Sequence, residues 1–372
     1  MRCLHLTLTT DRGGRRDAIL TLIRNLRALG VTCGLVGLRD SPDQVASLHE
    51  LVDFHAGLEA GPRIGRKAIG DLWRLCRDQR VEVLHVHDAG SQAVASALRY
   101  VLPNLRIVMT FHRSLGLDTE GWRNRLRNRV TLPAVAKVIT ASEERRQYFL
   151  EHSPMPPEKV AVIPHGVDLG RFHPDPSQRA WVRATLGCPP ETLVAVAIGH
   201  FGPEKGLDQT LEGMAVALRQ LDGRPAHLAV LGAGTPEQER LLRGAGEALL
   251  GDRVTFLGFR PDVPAWLQGA DLLVHAPRQE AFGLVTIQAM ACGIPVVAAA
   301  VGGVPEIVAD DRTGLLVPPG ETDALGGAIA TVLGDDAMRS RLAEGALALA
   351  RERFDALESA RRHVEIYLAA LA

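Results

Sequence analysis

The chain has 372 residues, enough at roughly 150 residues per domain for about two domains that each bury a core. Its 42 Lys and Arg against 43 Asp and Glu leave a net charge of -1, which excludes the broad basic field that nonspecific nucleic-acid binding relies on, so no nucleic-acid partner is expected. With 46% hydrophobic and 23% charged residues, a disordered or low-complexity chain is excluded as well.

Along the chain, short apolar runs alternate with amphipathic segments. Cys3 to Leu8 reads as a buried strand, followed by the loop Thr9 to Gly14. Ala18, Ile19, Leu22, Ile23, Leu26 and Leu29 then recur at three- and four-residue steps and stop at Gly30, as a helix face ending in a glycine cap does. Val31 to Leu38, Val83 to Val86, Ile107 to Thr110, Val138 to Ile139 and Val160 to Ile163 are further strands, spaced widely enough for helical crossovers and hence a parallel sheet.

Pro164 to Pro176 (PHGVDLGRFHPDP) has no period of either kind and marks a domain boundary. The pattern restarts beyond it. Strands are expected at Leu193 to Ile198, Leu228 to Leu231, Val254 to Leu257, Leu272 to His275 and Ile294 to Ala299, with helices at Leu207 to Leu221, Pro236 to Leu250 and Leu284 to Ala291. Asp336 to Ala372 is helical with a break near Phe354 and Asp355. Two doubly wound α/β domains, with ligands bound in a cleft between them, follow from pattern alone.

The five cysteines are scattered and never form C-x-x-C, so neither a disulfide framework nor a zinc cage is expected and a reducing, cytoplasmic setting is. The N-terminus lacks a signal-peptide core. Ala281 to Val304 carries no charge and exceeds the ~18 residues of a membrane span, but Gly293, Pro295, Gly302 and Gly303 break it into a short helix and a strand.

Several segments have residue types suited to chemistry. Gly199 to Gly206 (GHFGPEKG) follows a strand and precedes a helix, so its amides and Lys205 suit a phosphate, or form a turn with a solvated lysine. Gly232-Ala233-Gly234 lacks the third glycine of a dinucleotide fingerprint and reads as a turn. Pro277 to Gly283 leads into the helix from Leu284 with Glu280 at its tip, and Gln288 is the strongly polar side chain of that helix, either a ligand contact or a satisfied buried amide. His85 and His87 share one face of a strand, as a metal site can begin, but further ligands are not evident. His112 and His275 also follow strands, and His112 is either a site residue or a structural histidine. Arg123, Arg125, Arg127 and Arg129 have helical four-residue spacing and form either a solvated face or a surface for an anionic acceptor or acidic lipid.

Taken together, these segments resemble the retaining glycosyltransferases of family 4, with their two-Rossmann-domain GT-B fold. The resemblance spans nearly the whole chain. Its strongest piece is Glu280 to Ala298 (EAFGLVTIQAMACGIPVVA), with Gly302-Gly303-Val304-Pro305-Glu306 and Gly314 to Pro318 after it. Val162 to Asp168 with Phe172, Pro203 to Gly206, and Gly13-Gly14 support it.

The resemblance implies an acceptor domain at 1–168, joined by a C-terminal helix at 355–372 that crosses back to it, and a donor domain at 177–354. It implies transfer from a nucleoside-diphosphate sugar, of UDP or GDP type, to a glycan, lipid-linked or small-molecule acceptor, with retention and with neither metal nor cofactor. Lys205 would neutralise the diphosphate, Glu280 would bind the transferred sugar, and Phe282, Gly283 and Leu284 would offer amides. Gly14 would approach the donor phosphate and His112 the sugar. The chain departs from the family at His200, where an arginine is usual, at Gln288, where a ribose-binding glutamate is usual, and at His165, where asparagine is common. The first two departures keep open a catalytically impaired scaffold protein as an alternative. A nucleotide-sugar epimerase is another. A cytoplasmic enzyme, peripheral at most through the arginine cluster, is the resulting expectation.

Overall fold

The computed structural model describes the chain apart from residues 12, 62–63 and 113–121 and the side chains of 123–125. Two compact units make it up, Met1–Gly166 with Ala356–Ala372, and Val167–Asp355. The first division therefore falls inside the proline-rich segment, between Gly166 and Val167.

In the first unit seven strands, β1 (Arg2–Thr7), β2 (Thr32–Gly37), β3 (Phe54–Gly57), β4 (Val83–Val86), β5 (Arg106–Phe111), β6 (Val135–Thr140) and β7 (Val160–Val162), pair in parallel in the order β3-β2-β1-β4-β5-β6-β7. Sheets covered on both faces need strands that are apolar throughout, which is why the runs were visible in the sequence. β3, a half-buried edge strand, is announced by no apolar run.

The second unit repeats the design. Its strands β8 (Leu193–Ile198), β9 (Ala226–Leu231), β10 (Val254–Gly258), β11 (Leu272–His275), β12 (Val296–Ala299) and β13 (Gly314–Val317) take the order β10-β9-β8-β11-β12-β13, again all parallel. Strand order reverses direction between β1 and β4 in one sheet and between β8 and β11 in the other. Loops leaving the carboxyl ends of strands at such a point diverge and leave room for a ligand.

Helix Ala356–Leu371 packs on helix Gly14–Ala28, both in the first unit. Ala360 and Tyr367 are wholly buried there, and Ser359 Oγ donates to the Pro164 carbonyl at 2.9 Å. The uncharged stretch Ala281–Val304 contains helix Leu284–Ala291 and β12, and among the described residues no helix is long and apolar enough to cross a membrane.

Candidate active site in the second unit and a histidine cluster in the first

In the second unit the site grows from the loops after β8 and β11. After β8 the chain makes a tight turn, Pro203–Lys205, and enters helix Leu207–Gln220 through Gly206. Gly206 has φ 60°, and a Cβ there would lie 1.9 Å from the Ala276 carbonyl oxygen, so only glycine allows the two loops this approach. Arg278 fastens them together. Its amide donates to the Glu204 carbonyl at 2.8 Å, and its guanidinium donates to the Pro203 carbonyl at 2.9 Å and to both Asp208 carboxylate oxygens at 2.7 Å.

The clamp carries Lys205 Nζ to 2.8 Å from Glu280 Oε2. His275, the last residue of β11, places Nε2 3.3 Å from the same oxygen, and the Ala281 amide donates to Glu280 Oε1 at 3.1 Å. Burial alone would push the Glu280 carboxyl up, but the His275 ring and the Lys205 ammonium outweigh it and hold the carboxyl well below the usual carboxylate range. Glu280 is thus a carboxylate at every physiological pH. From behind, Gly302 supports the loop: its φ is 53°, and a Cβ would lie 1.8 Å from the Glu280 carbonyl oxygen.

Phe282 is buried and meets Phe354 edge to face at 6.1 Å between ring centroids. That anchor sets the start of helix Leu284–Ala291, whose cap Gly283 has φ 100°. First-turn amides of a helix have no acceptor within it and carry its positive end, so they suit an anion. Thr286 Oγ1 and His275 Nε2 are buried without an aligned hydrogen-bond partner among the described residues. His275 Nε2 faces the Glu280 carboxylate at a long 3.3 Å, so Thr286 Oγ1, at the start of the helix, is the polar atom there with bonding capacity left over.

Of the remaining donor residues expected in this unit, His200 is exposed and its Nε2 contacts the Glu204 carboxylate within the same loop. Gln288 is half-buried, which corrects the expectation of a buried amide: the helix turns it toward its solvent-facing edge.

In the first unit, Gly13 has φ 146° and ψ 172°, a conformation open only to glycine, and Gly14 begins helix Gly14–Ala28. His85 and His87 do share a face of β4, with ring centroids 4.3 Å apart. Parallel register sets His5 of β1 opposite His85, and imidazole nitrogens of His5, His85 and His87 lie within 4.8 Å of one another. All six of those nitrogens have partners. His5 Nδ1 meets His87 Nε2 at 3.0 Å, His87 Nδ1 meets His112 Nε2 at 2.9 Å, and His5 Nε2 lies 3.7 Å from Cys3 Sγ. His85 meets the Tyr367 hydroxyl at Nδ1 and Thr110 Oγ1 at Nε2, both at 2.7 Å. A metal would have to displace these bonds, so the cluster is a hydrogen-bond network.

Burial, with the neighbouring rings adding to it, holds His85, His87 and His112 well below 6.5, and lowers His5 to about 3. Burial lowers His363 to about 4, with Arg362 adding to it and the Ser359 carbonyl opposing it. His112 stacks on His165 at 5.2 Å, and a cavity of about 20 Å³, room for one water, is lined by His87, Thr110, His112, His165 and His363.

Of the basic cluster, Arg127 and Arg129 lie on helix Trp122–Thr131, while the Arg123 and Arg125 side chains lie outside the described residues. Trp122, Leu126 and Val130, four residues apart, are 71%, 56% and 64% exposed on the same helix. Three features escaped the sequence reading: His5 as a member of the cluster, His275 as a partner of Glu280, and the Arg278–Asp208 clamp. Each depends on which strands are neighbours, and only parallel register could have signalled it.

Comparison with known proteins shows the family and the fold. The family described as Glycosyltransferase Family 4 matches residues 13–171, and that described as Glycosyl transferases group 1 matches residues 181–348. A relative from Thermobispora bispora, named D-inositol 3-phosphate glycosyltransferase, is 32% identical over 98% of this chain and 91% of its own length. One of the same name from Jonesia denitrificans is 38% identical over 51% of this chain, a match that spans 47% of that relative. In fold, the chain is similar to Anabaena HepE, solved in complex with UDP, with a TM-score of 0.85 at 24% identity over 98% of this chain and 99% of that one. Both units thus have the GT-B architecture, and the chain belongs to the family 4 glycosyltransferases, glycosyl transferases group 1.

Proposed function

We propose that the chain is a retaining, metal-independent transferase that uses a UDP-type sugar donor. The observation that carries this reading is the Glu280 carboxylate with Lys205 2.8 Å away, beside the start of helix Leu284–Ala291, whose first amides carry the helix's positive end. An ammonium offers three donors, so Lys205 can hold Glu280 and a phosphate oxygen together. As the bond from the anomeric carbon to the diphosphate oxygen breaks, negative charge collects on that oxygen, and Lys205 with the Phe282, Gly283 and Leu284 amides stabilises it. Glu280 accepts hydrogen bonds from the hydroxyls of the transferred sugar, Gly14 lets backbone approach the phosphate, and His112 contacts the sugar. The acceptor hydroxyl attacks the same face and gives its proton to the departing phosphate, so no protein base is required.

UDP is favoured over GDP because HepE, the structural likeness, has been solved with UDP and with UDP-glucose. For the acceptor, the relatives' names make inositol 3-phosphate the first compound to test. The assay is release of UDP or GDP from the corresponding sugar conjugates, with and without EDTA. UDP release that persists in EDTA and rises with acceptor is expected; dependence on an added divalent ion would refute the metal-independent reading.

A second reading concerns location. The exposed Trp122, Leu126 and Val130, beside Arg127 and Arg129, give helix Trp122–Thr131 the apolar and basic faces of an interfacial helix. Binding to vesicles with anionic lipid, lost in neutral vesicles, is the expected result; equal behaviour with both would refute it.

A further inference from the structure

Three histidines from three strands form a single file in the first unit: His5 on β1, His87 just past β4 and His112 just past β5. Each contact joins two ring nitrogens, so each needs one hydrogen between the two. A neutral imidazole carries only one N–H. If His5 carries its hydrogen on Nδ1 and donates to His87 Nε2, then His87 must carry its own on Nδ1 and donate to His112 Nε2, and His112 in turn must carry its hydrogen on Nδ1. The converse sequence places all three hydrogens on Nε2. No mixed arrangement satisfies both contacts.

The inner end chooses between the two. His5 Nε2 faces the Cys3 sulfur at 3.7 Å, and Cys3 is wholly buried. Burial, with Cys33 adding to it and the Tyr367 hydroxyl opposing it through a hydrogen bond to the sulfur, pushes the Cys3 thiol up, so its hydrogen is in place and, with the hydroxyl donating to the sulfur, can be donated to a bare His5 Nε2. In the reverse order an imidazole N–H would be left pointing at sulfur, a weak acceptor. His85 does not interfere, since Tyr367 and Thr110 occupy its nitrogens. At the outer end His112 Nδ1 meets no partner among the described residues.

We propose that His5 and His87 are positioning residues that lock His112 into its Nδ1–H tautomer, so that its outer nitrogen is a hydrogen-bond donor for a lone pair on the sugar of the donor substrate. Free histidine favours the Nε2–H form, so the lock inverts the ordinary preference. Neutrality of the three rings, which burial secures, keeps the file intact at neutral pH. The functional half rests on the reading of His112 as a sugar contact; the tautomer half does not.

The test is a long-range 1H–15N correlation of the full chain labelled at histidine, at pH 7.5, with His112 assigned through His112→Gln. His5, His87 and His112 are all expected with a protonated Nδ1 and a bare Nε2. His87→Phe removes the donor, so His112 moves toward Nε2–H, while His87→Asn, whose amide nitrogen stands where Nδ1 stood, restores Nδ1–H. With UDP-glucose as the probe, UDP release falls about tenfold in His87→Phe, the scale of one hydrogen bond, and returns to within about threefold in His87→Asn. Mixed tautomers in the unmodified chain, or all three on Nε2, overturn the lock, and that spectrum needs no variant to fold. Tautomers as expected, with UDP release unchanged in both His87→Phe and His112→Gln, overturn instead the assignment of His112 to the sugar.

Discussion

The two units solve the same problem in opposite ways. Each has buried titratable groups near the carboxyl ends of its central strands. In the second unit Glu280 has Lys205 and His275 against it, and it keeps its charge despite burial. In the first unit His5, His85 and His87 bond to one another, His112, Tyr367, Thr110 and a thiol, with no carboxylate among those partners, and burial strips them of charge. The opposite sign of the neighbour, rather than depth, decides whether a buried group stays ionised. The second unit therefore keeps a buried charged pair, Lys205 and Glu280, and the first a buried neutral hydrogen-bond network.

The largest effect is expected where that charge is removed. Lys205→Ala and Glu280→Ala should each lower turnover of a UDP-sugar by about 10² to 10³, the scale on which one preorganised electrostatic group acts. Steady-state kinetics with thermal melts as a folding control would measure it.

The comparison sharpens next with pH. His5, His85, His87 and His363 are neutral in the folded chain and return to about 6.5 when unfolded. Below that value the unfolded chain binds more protons, so stability falls as pH drops, until the folded rings protonate, near 4 for His363 and near 3 for His5. Each ring contributes on the order of 2 kcal/mol of loss between pH 6.5 and 5. Hydrogen exchange followed by mass spectrometry should show the first unit losing protection over that range. Over the same range the second unit should lose less, because Glu280 titrates far lower and His227 is the ring there that burial holds low. Equal loss in both units would break the contrast.

A smaller effect is expected from Gly302→Ala, which forces a Cβ against the Glu280 carbonyl at positive φ and should cost about 1 to 3 kcal/mol, with turnover falling as the Glu280 loop shifts. The smallest comes from His200→Arg. The site is exposed, so a second permanent cation near the phosphate should tighten UDP binding only severalfold, as read by calorimetry.

Much of the architecture was legible because both sheets are parallel and covered. Strands such as β4, β8 and β11 must then be largely apolar, and their runs coincide with the strands themselves. β3 and β13 escaped for the complementary reason, each being short, half-buried and at an edge. Within the site, Lys205 and Glu280 lie 75 residues apart, and nothing in local spacing joins them; only their resemblance to a family did. His5 and His87 are 82 apart and had no such guide. Gln288 looked buried because its helix is apolar, but one helix can be apolar in composition and still turn one side chain to the edge.

The most direct measurement is calorimetric titration of UDP, in EDTA, into the unmodified chain and into Lys205→Met, which keeps the length of the side chain and removes its charge. The account predicts saturable binding by the unmodified chain and at least a tenfold loss in the variant, in line with an ammonium that holds a phosphate. Equal affinity in the two, or binding that vanishes with EDTA, would contradict a metal-independent donor site built on Lys205 and Glu280.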